Sequence, residues 1–242
     1  MQLSRPTTTQ APNADRTLVI MAKAPRPGMV KTRLAQSLPV PAITELYRCL
    51  LDDTLALARL LDSVEVAIVC PATDVDDLGY LAGGGVRVVA QKGEGLAAGL
   101  TSVFAHFAAG HKRVIAFNSD SPHLPASVLE NAFEALSSSD VVVGPTHDGG
   151  YYLVGAKAIH PDLFNGDGMG TTTALDALLA RARTLKLSVA FTDQFYDIDL
   201  ADDLTRLSAE LRLDPARAPR TAAWLAEWSR ALVDLRSRIG AP

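Results

Sequence analysis

Near the start of the sequence the apolar run Thr17-Leu18-Val19-Ile20 passes straight into Met21-Ala22-Lys23-Ala24-Pro25-Arg26-Pro27-Gly28-Met29-Val30-Lys31-Thr32-Arg33-Leu34. Lys23, Arg26, Lys31 and Arg33 place four cations within eleven positions, which a core cannot hold. A β-branched run ending in a charged Pro/Gly loop predicts a buried first strand that delivers a mobile basic loop to the carboxyl edge of an open α/β sheet. That edge is where such sheets bind ligands. A phosphate chain is the natural guest. The stretch is not a Walker loop, because Val30 stands where the glycine before Lys31-Thr32 would have to be, so side chains must carry the anion contacts.

The chain has 242 residues, of which 48% are hydrophobic, enough for one large core, and one domain is expected. Its first sixteen residues, polar and Pro/Thr-rich, are expected to be a disordered tail. A main domain over 17–212 and a helical extension over 213–242 packed on it follow. A net charge of −4 argues against a general nucleic-acid or anionic-membrane surface, so the basic loop is expected to be a local site for a small anionic partner. Cys49 and Cys70 are too few for a disulfide framework and suit a reducing, cytoplasmic setting. No apolar stretch approaches the length of a membrane span.

After the basic loop, Ile43, Leu46, Tyr47, Leu50, Leu51 and Leu55 recur at helical spacing, predicting a helix over 41–61 and then a strand over 64–69. A short surface helix over 71–81 and a strand over 86–90 come next. Gly93, Gly95 and Ala98 then fit a G-x-G-x-x-A dinucleotide fingerprint before a helix over 96–109. This motif follows the third strand rather than the first, and a dinucleotide reading leaves Lys23, Lys31 and Arg33 without a task. A fourth strand over 113–117 stops at Asn118-Ser119-Asp120-Ser121-Pro122, which puts Asp120 at a strand's carboxyl end, and a helix over 126–136 follows.

The runs 141–146 and 151–155 flank His147-Asp148-Gly149-Gly150, a strong hairpin signal. The loop 165–173, with Thr171, Thr172 and Thr173, enters a helix over 174–183 and offers hydroxyls and free N–H groups to an anionic acceptor. A strand over 185–191 leads to Asp197-Ile198-Asp199, where alternation places both carboxylates on one face. The competing structural reading makes Asp199 a helix N-cap with Asp202 at the third position. A connector over 213–219 and an amphipathic helix over 220–239 with Trp224 and Trp228 finish the chain. That helix is expected to pack on the domain or to serve a homodimer.

Four of these segments, in order, resemble the DUF2064 family, a glycosyltransferase A-like group related to phospholactate and molybdopterin guanylyltransferases. They are Lys-Ala-Pro-x-Pro-Gly-x-x-Lys-Thr-Arg-Leu from Lys23, Ser119-Asp120-Ser121-Pro122, Asp-Gly-Gly-Tyr-Tyr-Leu-x-Gly from Asp148, and Asp197-Ile198-Asp199 before a helix. The resemblance implies the glycosyltransferase-A/nucleotidyltransferase fold, a three-layer α/β sandwich around a mostly parallel sheet. It also implies a divalent cation, Mg2+ or Mn2+, on Asp120, with Asp197 and Asp199 completing the set. Ala22, Lys23, Ala24, Gly28, Lys31, Thr32 and Arg33 would hold the nucleotide, with Gln91 and Gly93 beside the base. Asp148, Gly149, Gly150, Thr171 and Thr172 would face the acceptor, and Lys31, Arg33 and Asp120 would act in catalysis. Asn118 replaces the first acid of an Asp-x-Asp, and Leu200 replaces a threonine. The cation-rich loop and the missing acid favour nucleotidyl transfer from a nucleoside triphosphate to a small anionic acceptor. Glycosyl transfer from a nucleotide-sugar is the alternative, and a non-catalytic nucleotide sensor is a remote third that the three aspartates argue against.

Overall fold

The computed structural model describes residues 15–109, 112–165 and 172–239, with side chains to residue 229. Seven strands form one sheet: β1 (Arg16–Met21), β2 (Val64–Cys70), β3 (Arg87–Ala90), β4 (Arg113–Asn118), β5 (Val141–Pro145), β6 (Tyr151–Ala156) and β7 (Val189–Phe191). Their order is β3-β2-β1-β4-β6-β5-β7, and β6 alone runs against the rest. Helices α1 (Val40–Ala58), α2 (Val75–Ala82), α3 (Gly95–Phe107), α4 (Ala126–Ala135), α5 (Ala174–Thr184), α6 (Ala201–Leu213) and α7 (Pro219–Ile239) surround it.

Strand alternation builds the layers. In β1, Leu18 and Ile20 join Ile68, Ile115 and Phe117 in a core closed by residues of α1, α2 and α4, such as Leu51, Leu78 and Phe133. Val19, between them, points the other way and joins Ala67, Val114 and Ala116 under α3 and α5 residues such as Phe104 and Leu178. Both faces are thus covered, as a mostly parallel sheet requires. A third cluster, with Leu46 and Leu50 of α1, Leu207 and Leu211 of α6 and Leu225 of α7, packs on the outer side of α1. Buried Asp53 of α1 accepts the Arg220 and Thr221 N–H groups at 3.2 and 2.8 Å, tying the start of α7 to the domain. Trp224 and Trp228 stack with ring centroids 5.6 Å apart.

The structure corrects several expectations. Residues 1–14 of the expected tail lie outside the described residues, but Arg16 is already in β1, paired in register with Val64 and Arg113. The apolar run 185–191 is a strand only over its last three residues. Lys186 takes a left-handed backbone (φ 57°), while Leu185 and Leu187 pack on the second core as a turn. Asp199 is not a helix cap: Asp203 accepts the Asp199 and Leu200 N–H groups at 3.0 and 2.6 Å, which leaves the Asp199 carboxylate free for other partners. Among the described residues no helix is long and apolar enough to cross a membrane.

Candidate active site

The chain leaves β1 to build β2 and β3 on one side and returns to place β4 on the other. The carboxyl ends of β1 and β4 therefore flank the point where the strand order reverses, where open α/β sheets leave a crevice. The basic loop rises from β1 at this point. It is pinned rather than mobile. Ala22 N–H reaches Val69 O at 3.2 Å, and Ala24 N–H reaches a carboxylate oxygen of the buried Asp74 at 2.8 Å. Arg26 spends its guanidinium on Asp74 (2.7 Å), Asp77 (2.6 Å) and Thr73 O (2.8 Å), so this cation braces the loop. Gly28 (φ 74°) supplies the turn, and buried Val30 and Leu34 anchor the far end. Lys23, Thr32 and Arg33 are left exposed.

Lys31 goes inward. Its ammonium lies 2.9 Å from Asp120 Oδ2 and 2.9 Å from Asp199 Oδ1, with a side chain only 4% exposed, and Arg33 stands 3.4 Å from the other Asp199 oxygen. Asp197 completes the group, and one oxygen from each of Asp120, Asp197 and Asp199 lies within 4.8 Å of the others. Burial, then the neighbouring Asp199, pushes the Asp197 carboxyl up to about 6. Burial works against ionisation of Asp199 too, but Lys31 and Arg33 outweigh it and hold that carboxyl below its ordinary value. The two carboxylates raise the Lys31 pKa against the effect of its own burial.

The loop after β4 is held by its own polar groups. Asn118 Oδ1 accepts the Asp120 N–H at 3.4 Å, so the residue standing in place of an acid shapes the turn that aims Asp120. Ser121 donates to Tyr196 O at 3.1 Å, joining this loop to the segment that carries Asp197 and Asp199. Tyr47, expected only as part of an apolar helix face, accepts the Lys23 N–H at 3.1 Å and bonds Ser119 Oγ at 3.0 Å. Ser119 in turn donates to Asp120 Oδ1 at 3.3 Å. A buried chain of hydroxyls thus links the basic loop to Asp120. Tyr47 and Asp74 are the residues that sequence reasoning missed, and the only signal was a polar side chain within otherwise ordinary helical patterns.

The β5–β6 hairpin brings its tip to the same edge of the sheet. Asp148 serves the turn, accepting Thr146 Oγ1 at 2.5 Å and Gly150 N–H at 3.1 Å. Gly149 (φ 87°) offers its carbonyl to Leu175 N–H at 3.0 Å, and a Cβ there would lie 2.0 Å from Thr172 O, so tip and α5 start are in contact. Thr171 lies outside the described residues. Gln91 follows β3, two strands from β1, and its amide donates to Gly93 O at 2.9 Å. The fingerprint glycines both adopt positive φ, Gly93 ahead of α3 and Gly95 as its first residue. A separate groove of about 600 Å3 between α6 and α7, lined by residues such as Leu211, Pro215, Ala222 and Leu225, contains none of these groups.

Residues 54–171 match the model of the DUF2064 family. That family is described as uncharacterized proteins conserved in bacteria, and the match takes in Asp120 and the hairpin tip while Lys31, Asp197 and Asp199 fall outside it. Among solved structures, the chain is similar to a candidate nucleotide-diphospho-sugar transferase from Desulfovibrio desulfuricans. The two share 28% identity and a TM-score of 0.82 over 92% of this chain and 98% of that one. A 4-diphosphocytidyl-2C-methyl-D-erythritol synthase from Anaerococcus prevotii shares the fold at 12% identity and a TM-score of 0.56, over 82% of this chain and 97% of the other. So does a nucleotidyl transferase from Methanothermobacter, at 20% identity and a TM-score of 0.55, over 82% and 99%. No curated protein matches the sequence. The fold is therefore that of nucleotide-diphospho-sugar transferases and nucleotidyltransferases.

Proposed function

We propose that this chain is a metal-dependent nucleotidyltransferase that moves a nucleoside monophosphate from a triphosphate to a small anionic acceptor and releases pyrophosphate. The observation that carries the reading is the meeting of Asp120, Asp197 and Asp199 with the basic loop at the switch point between β1 and β4. The donor set fits Mg2+ or Mn2+, since it consists of carboxylate oxygens clustered within 4.8 Å, and its attraction for a cation is visible in the Lys31 ammonium drawn between two of them. Asp120, Asp197 and Asp199 would hold the metal, which when bound supplies positive charge to the phosphates and lowers the cost of charge on the leaving group.

The chain's own groups do the rest. Attack by an acceptor oxygen on the α-phosphorus forms one P–O bond and breaks another, with negative charge gathering on the departing pyrophosphate. Lys23, Lys31 and Arg33, all on the loop above β1, are the cations available to that charge. The brace of Arg26 on Asp74 and Asp77 keeps the loop in place while they act. The hairpin tip at Asp148-Gly149-Gly150 and Thr172, which it approaches just before α5, would form the wall against which an acceptor sits. The 28% identical relative favours a second reading, glycosyl transfer from a nucleotide-sugar at the same site.

The two separate by leaving group. Incubation with a triphosphate pool, Mg2+ and a panel of phosphorylated or carboxylated acceptors is expected to yield pyrophosphate, and Asp120→Asn is expected to abolish metal-dependent nucleotide binding in calorimetry. Acceptor-dependent nucleoside diphosphate from a nucleotide-sugar, with no pyrophosphate from any triphosphate, would replace the first reading with the second.

A further inference from the structure

Lys31 fills the space its function would need emptied. Its Nζ is at ion-pair distance from two of the three carboxylates, its side chain is 4% exposed, and its backbone is left-handed (φ 47°, ψ 42°), a conformation that turns the loop toward the carboxylates. A hard divalent cation sits about 2.0–2.6 Å from carboxylate oxygens. A metal bonded to the same Asp120 and Asp199 oxygens would therefore lie within contact range of the present ammonium position. Two cations cannot share that position.

We infer that Lys31 is a built-in competitor of the metal: its ammonium occupies the aspartate cage in the ligand-free protein and must swing out before a divalent ion enters. The inference rests on the metal reading above. The backbone at Lys31 need not move, because its carbonyl already receives the Leu34 N–H at 3.0 Å and opens the 3-10 turn Thr32–Gln36. The flexible four-carbon stem provides the swing. What draws the ammonium out is another anion, and the phosphates of the nucleotide are the anion this loop faces. Metal and nucleotide therefore strengthen each other's binding: the nucleotide gives Lys31 a new partner, and the vacated carboxylates accept the metal. By linkage the coupling is reciprocal. The latch also keeps the nucleotide-free site from leaving three clustered carboxylates without a counter-charge.

The test is Mn2+ alone, titrated into nucleotide-free protein and followed by the electron paramagnetic resonance of free Mn2+. Lys31→Met keeps the length of the side chain and removes the competing charge. It is expected to bind Mn2+ about tenfold or more tightly than the parent, the scale of exchanging one buried charge-assisted hydrogen bond for a metal contact. Arg33→Met, whose parent side chain is 66% exposed, is expected to change the affinity far less, because exposed charge is screened. In the parent itself, reductive methylation is expected to spare Lys31 without metal and to modify it at saturating Mn2+, a readout that needs no variant to fold. Equal gains in Lys31→Met and Arg33→Met, or a Lys31 amine equally protected with and without Mn2+, would overturn the latch. So would unchanged affinity in Lys31→Met, and if Asp120→Asn still abolished Mn2+ binding in that case, the metal site would stand without the latch. Absence of Mn2+ binding by parent and variant alike, even with a nucleoside triphosphate, would remove both readings.

Discussion

His123 lies three residues past Asp120 and is fully buried, with neither ring nitrogen in a hydrogen bond and its ring 4.5 Å from that of Tyr196. Burial pushes its pKa down to about 4; Glu210 pulls it back, while Arg217 and Arg206 add to the fall. The folded value is therefore below the usual 6.5. The fold keeps the ring neutral while the unfolded chain takes up a proton, so its contribution to stability is intact above pH 6.5 and is lost as pH falls toward 4. A difference of about 2.5 units at 1.36 kcal/mol each sets the full loss near 3 kcal/mol, of which about 2 kcal/mol has gone at pH 5. His123→Leu removes the titration and the two unpaired nitrogens at similar volume. At pH 8 the relief from unpaired polar atoms, about 1–3 kcal/mol, and the misfit of a new shape, also about 1–3 kcal/mol, nearly cancel. The gap between variant and parent is then expected to widen in the variant's favour by about 2 kcal/mol between pH 8 and pH 5, read from urea unfolding at both. Asp197 works in the opposite sense, since its folded value near 6 lies above its unfolded one and favours the fold as pH drops from 6 toward 4. It is present in both proteins and cancels from the difference. A gap that does not change with pH, or a His123 ring that titrates near 6.5 by NMR, would refute the reasoning.

Asp53→Ala leaves the first N–H groups of α7 buried without their carboxylate and is expected to cost about 2 kcal/mol in urea unfolding. An unchanged midpoint would mean that α7 is held by its apolar contacts alone. Gly149→Ala must place a methyl 2.0 Å from Thr172 O on a backbone at φ 87°, so the hairpin tip and the α5 start have to part. Steady-state kinetics is expected to show a larger rise in KM for the acceptor than for the triphosphate, and equal rises would take the acceptor away from this wall. Lys31→Ala is expected to lower kcat by about a hundredfold, the worth of roughly 3 kcal/mol for one charge-stabilising contact in the transition state, with base recognition little changed. Unchanged turnover would take Lys31 out of the charge-stabilising role and leave it a structural partner of the carboxylates.

What the sequence discloses and what it hides divide along the range of the interaction. The strand at β1, the hairpin at Asp148-Gly149 and the shared face of Asp197 and Asp199 follow from neighbours within a few positions, where periodicity and turn chemistry act. Apolar content over 185–191 misled because it reports burial and not extension: Leu185 and Leu187 reach the core from a turn. Asp74 and Tyr47 were hidden for another reason. Their partners stand 50 residues away at Ala24 and 72 at Ser119, so a polar residue in a helical pattern carries no mark of what it holds. Lys31 joins both cases. Its place in a cationic loop is legible and points to phosphate, whereas its pairing with Asp199 spans 168 residues and points to the metal carboxylates. A residue whose local context names one anion and whose folded context supplies another is suited to exchange between them. In the ligand-free site the carboxylates hold Lys31 because they are the nearest uncompensated charge, and a phosphate chain arriving with its own divalent ion changes both terms at once.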